Sequence, residues 1–226
     1  MEKQKQYLKE LKELFWENEL SPESYQLERL AKYAELLVDK NQVVNLISRK
    51  KTNNAAEKHI FLSAFVKEFF PEKVNRFLDV GTGGGLPGIP IAILNPMMRG
   101  VLVDSTAKKI EAVNEFITKL RLSNVVGENS RVESEEFKKK YANKFDLIIS
   151  RGTVPLIVLI RYALPLVKEK SYILAIKGGN LDEEFKKAEL KYKAYIKKHT
   201  NFDLSYKPNN IRNESGKKIV LLELSK

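Results

Sequence analysis

The sequence predicts an α/β protein, a doubly wound and mostly parallel sheet preceded by a helical cap. Three observations carry that expectation. From Asn75 onward, short apolar runs alternate with helix-period segments, the pattern of repeated βα units. The run Phe77-Leu-Asp-Val80 passes straight into Gly81-Thr-Gly-Gly-Gly-Leu-Pro-Gly88, which reads as buried strand, tight turn and helix start. Ahead of Asn75 the apolar residues recur at spacings of three and four, which is helical.

Tyr7, Leu8, Leu11, Leu14 and Phe15 mark a first helix. Ser21-Pro22-Glu23 offers an N-cap, a proline at the first helical position and a first-turn acid for a second, which Leu27, Leu30, Ala31, Ala34, Leu37 and Val38 carry to about Asp39. A third is expected over 54–70, stopped by Pro71. These helices form an N-terminal extension, 1–72, packed on a core of 73–226 as one compact unit. After the first strand, Pro87 and Pro90 suit a helix opening near Leu86 to Ile89. A second strand over 99–103 ends at Asp104, a helix follows over 107–120, and a short third strand over 124–126. The nearly continuous apolar run 145–149 reads as a strand covered on both faces. A helix over 154–167 and a strand over 172–176 come next, then a long basic helix over 181–198. Two strands, 202–206 and 218–224, close the pattern as an antiparallel pair across a polar loop with Pro208, Asn209, Asn210 and Gly216.

Composition narrows the chemistry. With 226 residues and 43% hydrophobic content, the chain can bury a sizeable core. Neither an apolar run long enough for a membrane span nor a signal-peptide core is present, so a cytoplasmic protein is expected. Zero cysteines exclude disulfides, thiolate metal sites and a cysteine nucleophile. His59 and His199 are the only histidines, and no metal site is expected. The net charge of +11, from 40 Lys plus Arg against 29 Asp plus Glu, favours a partner rich in phosphates, although basic helical runs such as 186–198 also suit ordinary solvated surface.

The glycines admit two ligands. Gly81-x-Gly83-x-Gly85 suits the turn that holds S-adenosylmethionine, while Gly83-x-Gly85-x-x-Gly88 formally matches the dinucleotide fingerprint. Asp104, about twenty residues beyond Gly85, is placed to accept hydrogen bonds from ribose hydroxyls, or to cap the following helix; both cofactor classes want the former. Ser130-Arg-Val-Glu133 and Phe145-Asp-Leu-Ile-Ile-Ser-Arg151 should finish on the same sheet edge, because parallel strands point their carboxyl ends together. Val132 and Glu133 can then read an adenine edge, and Arg151 can meet the cofactor or an incoming phosphate; Glu133 also suits a helix cap.

Across nearly the whole chain the sequence resembles the ribosomal RNA small-subunit methyltransferase G family, formerly glucose-inhibited division protein B. The residues that carry the resemblance are Asn41-Gln-Val-Val-Asn45-Leu-Ile-Ser48, Lys58-His59-Ile60 with Ser63, Phe77 to Ile91, Leu102-Val-Asp-Ser105 with Lys108 and Lys109, Ser130 to Glu133, Ile149-Ser-Arg151, and Lys177-Gly178. Leu86-Pro-Gly-Ile-Pro90 is much more specific than the glycines. The resemblance implies the Rossmann-like fold of class I S-adenosylmethionine-dependent methyltransferases, and methyl transfer from S-adenosylmethionine to N7 of a guanine in small-subunit ribosomal RNA. It implies cofactor contacts at Gly81, Leu86, Val132, Glu133 and Arg151, with Asp104 on the ribose, beside Gly83 of the turn. It places Lys108, Arg131 and Lys177 toward the RNA, and a monomer with no membrane partner is expected. Two positions depart from the family pattern: Leu62 stands where an aspartate is usual, and Lys217-Lys218 where arginine is more usual.

The residue inventory agrees with that chemistry. Guanine N7 carries an in-plane lone pair at neutral pH, so attack on a sulfonium methyl needs no general base, and none is assigned. The missing cysteine closes the covalent route to pyrimidine C5, and Ser150-Arg151-Gly-Thr153 replaces the Pro-Pro-aromatic motif that would suggest an exocyclic amine. Two other classes remain open at this level: a nicotinamide or flavin oxidoreductase, and a non-catalytic RNA-binding or ribosome-assembly protein.

Overall fold

In a computed structural model, described over residues 2–48, 54–207 and 216–226, five parallel strands lead the sheet. They are β1 (Arg76–Val80), β2 (Arg99–Asp104), β3 (Val125–Asn129), β4 (Phe145–Arg151) and β5 (Val167–Gly178). The last two strands are β6 (Ile196–Asp203) and β7 (Lys217–Ser225), and β7 lies antiparallel between β5 and β6. The order is β3-β2-β1-β4-β5-β7-β6. Progression reverses at β1, which has β2 on one side and β4 on the other, and ligands of open α/β sheets bind at such a switch point. Register brings Val80 level with Val103 and Ser150, so three carboxyl ends converge there.

Alternation along each strand sends side chains to two buried faces. Phe77, Leu102, Leu147, Ile149 and Leu174 pack on one side beneath α1 (Glu2–Glu17), α2 (Ser24–Lys40), α4 (Gly88–Leu94) and α5 (Ala107–Lys119). Leu78, Val103, Ile148, Ile173 and Leu222 pack on the other, beneath α6 (Glu135–Tyr141), α7 (Leu156–Ala163) and α8 (Asp182–Tyr192). The helical extension is stapled into the first core: the Phe15 ring meets Phe61 edge-on at 5.1 Å, and Phe61 meets Tyr206 at 5.2 Å.

Several boundaries differ from the sequence expectation. Helix α2 starts at Ser24 with Glu23 as N-cap, not at Ser21-Pro22. Gln26 decides this: its Oε1 accepts the Glu23 N–H at 3.0 Å while its Nε2 donates to the Ile93 and Leu94 carbonyls, tying the helix start to α4. The expected helix over 54–70 is three pieces, a π-helical turn Ala56–Phe61, α3 (Leu62–Phe65) and a 3₁₀ turn Val66–Phe69, and it does stop before Pro71. Helix α4 begins at Gly88 behind Pro87, inside the expected window. Strand β3 runs further, to Asn129, and α6 was not anticipated; Ser134 rather than Glu133 caps it, accepting from the Phe137 N–H at 3.3 Å.

The largest departure lies after β5. Helix α7 is shorter than 154–167, and β5 already begins at Val167, because Phe145 of β4 pairs with it. The basic helix ends at Tyr192, not at 198, and β6 occupies Ile196–Asp203 rather than 202–206. Pairing along β7 gives this lysine-rich stretch its backbone partners, overriding helix propensity. The antiparallel pair itself is as expected, but Pro208, Asn209 and Asn210 lie outside the described residues.

Candidate functional site

The turn after β1 is built around a buried acid. Asp79 faces the interior, and its Oδ2 accepts from Thr82 Oγ1 at 2.7 Å and from the Gly88 N–H at 2.9 Å. One carboxylate oxygen therefore closes the turn at both ends. Gly88 has to be glycine, since a Cβ there would lie 2.7 Å from Leu102 Cγ and 2.8 Å from Asp79 Oδ2. Burial pushes the Asp79 carboxyl up to about 6, against the hydrogen bonds from Thr82 and Gly88 and the field of Arg151, which pull it down. From the far side, the buried Tyr33 hydroxyl of α2 donates to the Gly84 carbonyl at 2.8 Å, and burial holds its pKa well above that of a free tyrosine.

Two clefts meet over Gly81. The first, about 220 Å³, is lined by Gly81, Asp104, Ser105, Ser130, Arg131, Val132, Glu133, Thr153 and Tyr162, among others. The second, about 180 Å³, is lined by Leu46, Ile47, His59, Gly81, Thr82, Gly83, Gly84, Leu86 and Arg151. Gly81 has φ of +71°, and a methyl placed on it would collide with Thr153 Cγ2, so both the backbone angle and the close approach of Thr153 require glycine where the clefts share a wall. Among the described residues a larger hollow, about 620 Å³, lies beside Trp16, Leu20 and Lys207, but it is away from the sheet's carboxyl edge and its charged groups, Lys207 and Glu19, already pair at 3.1 Å; size alone does not make a site.

Asp104 combines the two roles that spacing left open. Its Oδ1 accepts the Thr106 N–H at 2.9 Å ahead of α5, and its Oδ2 accepts the Gly83 N–H at 3.1 Å, with Lys109 Nζ at 3.9 Å. Each oxygen retains capacity for a further donor. Arg151 stands at the end of β4 in the second cleft. Its Nη1 donates to Ser63 Oγ at 3.0 Å, and its Nη2 donates to the Lys58 carbonyl at 3.0 Å and meets His59 Nδ1 at 3.2 Å. None of these partners is a carboxylate, and burial lowers the guanidinium pKa, with Tyr33 and Asp79 opposing. His59 is the acceptor in its pair, because a guanidinium only donates. The π-helical turn presents the Lys58 carbonyl and His59 to Arg151, an irregular helix serving a polar site.

The sequence-derived residues thus separate into two groups sharing Gly81: Asp104, Val132 and Glu133 in the first cleft, Gly83, Leu86 and Arg151 in the second. Arg131 lines the first cleft with its side chain 75% exposed, 3.7 Å from Glu133. Lys108 is exposed on the first turn of α5 and lines neither cleft. Lys177 is not presented outward as expected: its side chain is 12% exposed, and its ammonium donates to the Val154 carbonyl and Glu184 at 2.6 Å each. Glu184 also accepts the Leu156 N–H, so this pair anchors the loop that carries Thr153. Sequence reasoning missed Thr153, Tyr33 and the Leu46–Ile47 wall. The last has a signal in Asn41-Gln-Val-Val-Asn45-Leu-Ile, but no periodicity reveals its place.

A family model described as rRNA small subunit methyltransferase G matches residues 26–212. The ribosomal RNA small subunit methyltransferase G of Chlorobium luteolum is 44% identical over 164 residues, covering 72% of this chain and 67% of that protein. The protein of the same name from Chlorobium limicola is 44% identical over 171 residues, covering 75% and 74%. Among solved structures, an O-methyltransferase from Bacillus cereus in complex with SAH aligns with a TM-score of 0.58 at 16% identity, covering 86% of this chain and 91% of that one. A putative O-methyltransferase from Klebsiella pneumoniae gives 0.57 at 15%, covering 86% and 90%. At these identities the structural likeness shows a shared fold.

Proposed function

The chain belongs to the rRNA small subunit methyltransferase G family, and from that premise we propose that it transfers a methyl group from S-adenosylmethionine to N7 of a guanine in small-subunit ribosomal RNA. One observation carries the reading beyond the family name. Of the two clefts that share Gly81, one holds an acid with spare acceptor capacity, Asp104, and the other a half-buried guanidinium, Arg151, whose hydrogen-bond partners include no carboxylate. A ligand with ribose hydroxyls at one end and a carboxylate at the other satisfies both.

In this assignment Asp104 accepts from the ribose, Val132 and Glu133 border the adenine, and Gly81, Gly83 and Leu86 line the path between the ends. Arg151 donates its remaining N–H groups to the carboxylate. The bound cofactor supplies a methyl already activated as a sulfonium. The side chains lining the second cleft include no acid, and the one histidine accepts from Arg151, so nothing there serves as a general base and N7 needs none. What the protein contributes is alignment and exclusion of water.

Arg131 and Lys108 meet RNA phosphates, and Lys177 joins them only on leaving Glu184. Residues 1–72 and 73–226 act as one unit, a monomer in the cytoplasm with no metal. No described helix is long and apolar enough to cross a membrane. The oxidoreductase and non-catalytic readings gain no support: an antiparallel β7 inside the sheet departs from the all-parallel dinucleotide order, and the matched relatives are named as methyltransferases.

Incubation of the protein with tritiated S-adenosylmethionine and undermethylated ribosomal RNA is expected to label one guanine, cleavable by N7-specific chemistry. Label on any other atom rejects the assignment.

A further inference from the structure

The segment that follows α2 has a conformation set by one side chain. Asn41, the C-cap of α2, is buried, and its Oδ1 accepts both the Leu46 N–H at 2.8 Å and the Ile47 N–H at 2.9 Å. Leu46 and Ile47 form an apolar wall of the second cleft, across from Gly83, Gly84 and Leu86. The wall touches the glycine turn closely: a Cβ on Gly84 would sit 2.8 Å from Leu37 Cδ1 and 3.1 Å from Leu46 Cβ.

We propose that the Leu46–Ile47 wall, held by Asn41, receives the face of the base to be methylated, and that Asn41 is a positioning residue for the transfer. The proposal rests on the reading of the two clefts as a methyl-donor site. With the adenosine end in the first cleft and the carboxylate at Arg151, the accepting base enters through the rest of the second, where Leu46 and Ile47 offer apolar side chains beside glycine backbone; Thr82 and His59 complete its lining. A flat aromatic ring is held by such surfaces without a demand for a specific donor. In-line transfer tolerates displacements well under an ångström, so the wall must be rigid. Asn41 supplies that rigidity by satisfying two backbone donors that would otherwise be buried and unpaired. It touches neither reactant and acts through Leu46 and Ile47.

The test compares Asn41→Ala, Asn41→Asp and Ile47→Ala with the unaltered chain. Binding of S-adenosylhomocysteine is read by calorimetry, and kcat and KM are measured with undermethylated small-subunit ribosomal RNA. Asn41→Ala is expected to bind S-adenosylhomocysteine within about threefold of the unaltered protein while kcat falls about thirtyfold or more. Asn41→Asp, whose carboxylate oxygen still accepts both N–H groups, is expected to recover kcat to within about threefold. Ile47→Ala, which keeps the Asn41 bonds, is expected to show the same split between cofactor binding and kcat and serves if Asn41→Ala does not fold. Unchanged kcat in Asn41→Ala or Ile47→Ala overturns the proposal. So does a loss of cofactor affinity as large as the loss of kcat, or an Asn41→Asp variant as impaired as the alanine. Failure of the unaltered protein to bind S-adenosylhomocysteine would instead remove the donor-site reading beneath it.

Discussion

Asp79→Asn tests the electrostatics of the turn with the least change of shape. Burial raises the carboxyl from 3.8 to about 6, a shift worth about 3 kcal/mol between its two protonation states. Because the folded value lies above the unfolded one, the folded protein holds the proton more tightly. Its contribution is fully present below the unfolded value and is lost as pH rises through the folded one. Ionised Asp79 thus weakens the fold by about 3 kcal/mol above neutrality, and about 2 kcal/mol of that change falls between about pH 4.5 and about pH 7.5. Asparagine does not titrate, and its one carbonyl oxygen can still accept from Thr82 and Gly88. Its amide replaces Oδ1, which has no hydrogen-bond partner, adding a constant penalty of about 1–3 kcal/mol. Urea unfolding of both proteins across that range isolates the variable part: stability of the variant relative to the original is expected to rise by about 2 kcal/mol with pH. A difference that stays flat refutes a proton held by burial at Asp79.

Arg151→Ala is expected to abolish methylation while the fold persists, read as lost tritium transfer with near-native circular dichroism; unchanged turnover removes Arg151 from the site. Asp104→Asn keeps a single acceptor oxygen for the Gly83 and Thr106 N–H groups, and S-adenosylhomocysteine affinity is expected to fall about tenfold or more by calorimetry. Gly88→Ala drives a methyl against Leu102 and Asp79 and is expected to lower stability by about 1–3 kcal/mol in urea titration.

Much of this was legible beforehand because its signals are local. The strand-glycine-proline order located the switch point, and Asp104 declared itself by distance from the glycines. Helix α5 began at Ala107 as expected and ended one residue short of the expected 120, because its apolar stripe is periodic. What escaped depended on partners distant in sequence. Residues 196–198 read by their lysines as the end of a helix, and only β7 makes them strand. Gln26 moves the start of α2 by reaching α4, sixty-seven positions away at Ile93. Lys177 looks like an RNA contact by type, yet Glu184, seven residues on, turns its charge inward. Asn41 makes short-range bonds, but their meaning comes from the glycine turn that the bonded segment faces.

The antiparallel insertion of β7 bears on how the molecule is made. During synthesis β6 emerges before β7, the strand it pairs with, and β5 has an open flank until residues 217–225 follow. Val220, Leu222 and Leu224, all buried when the sheet is complete, reach it only with β7. A nascent chain halted before them would carry two unfilled ladders, making it a ready client for chaperones and prone to self-association until the ribosome supplies the missing rung.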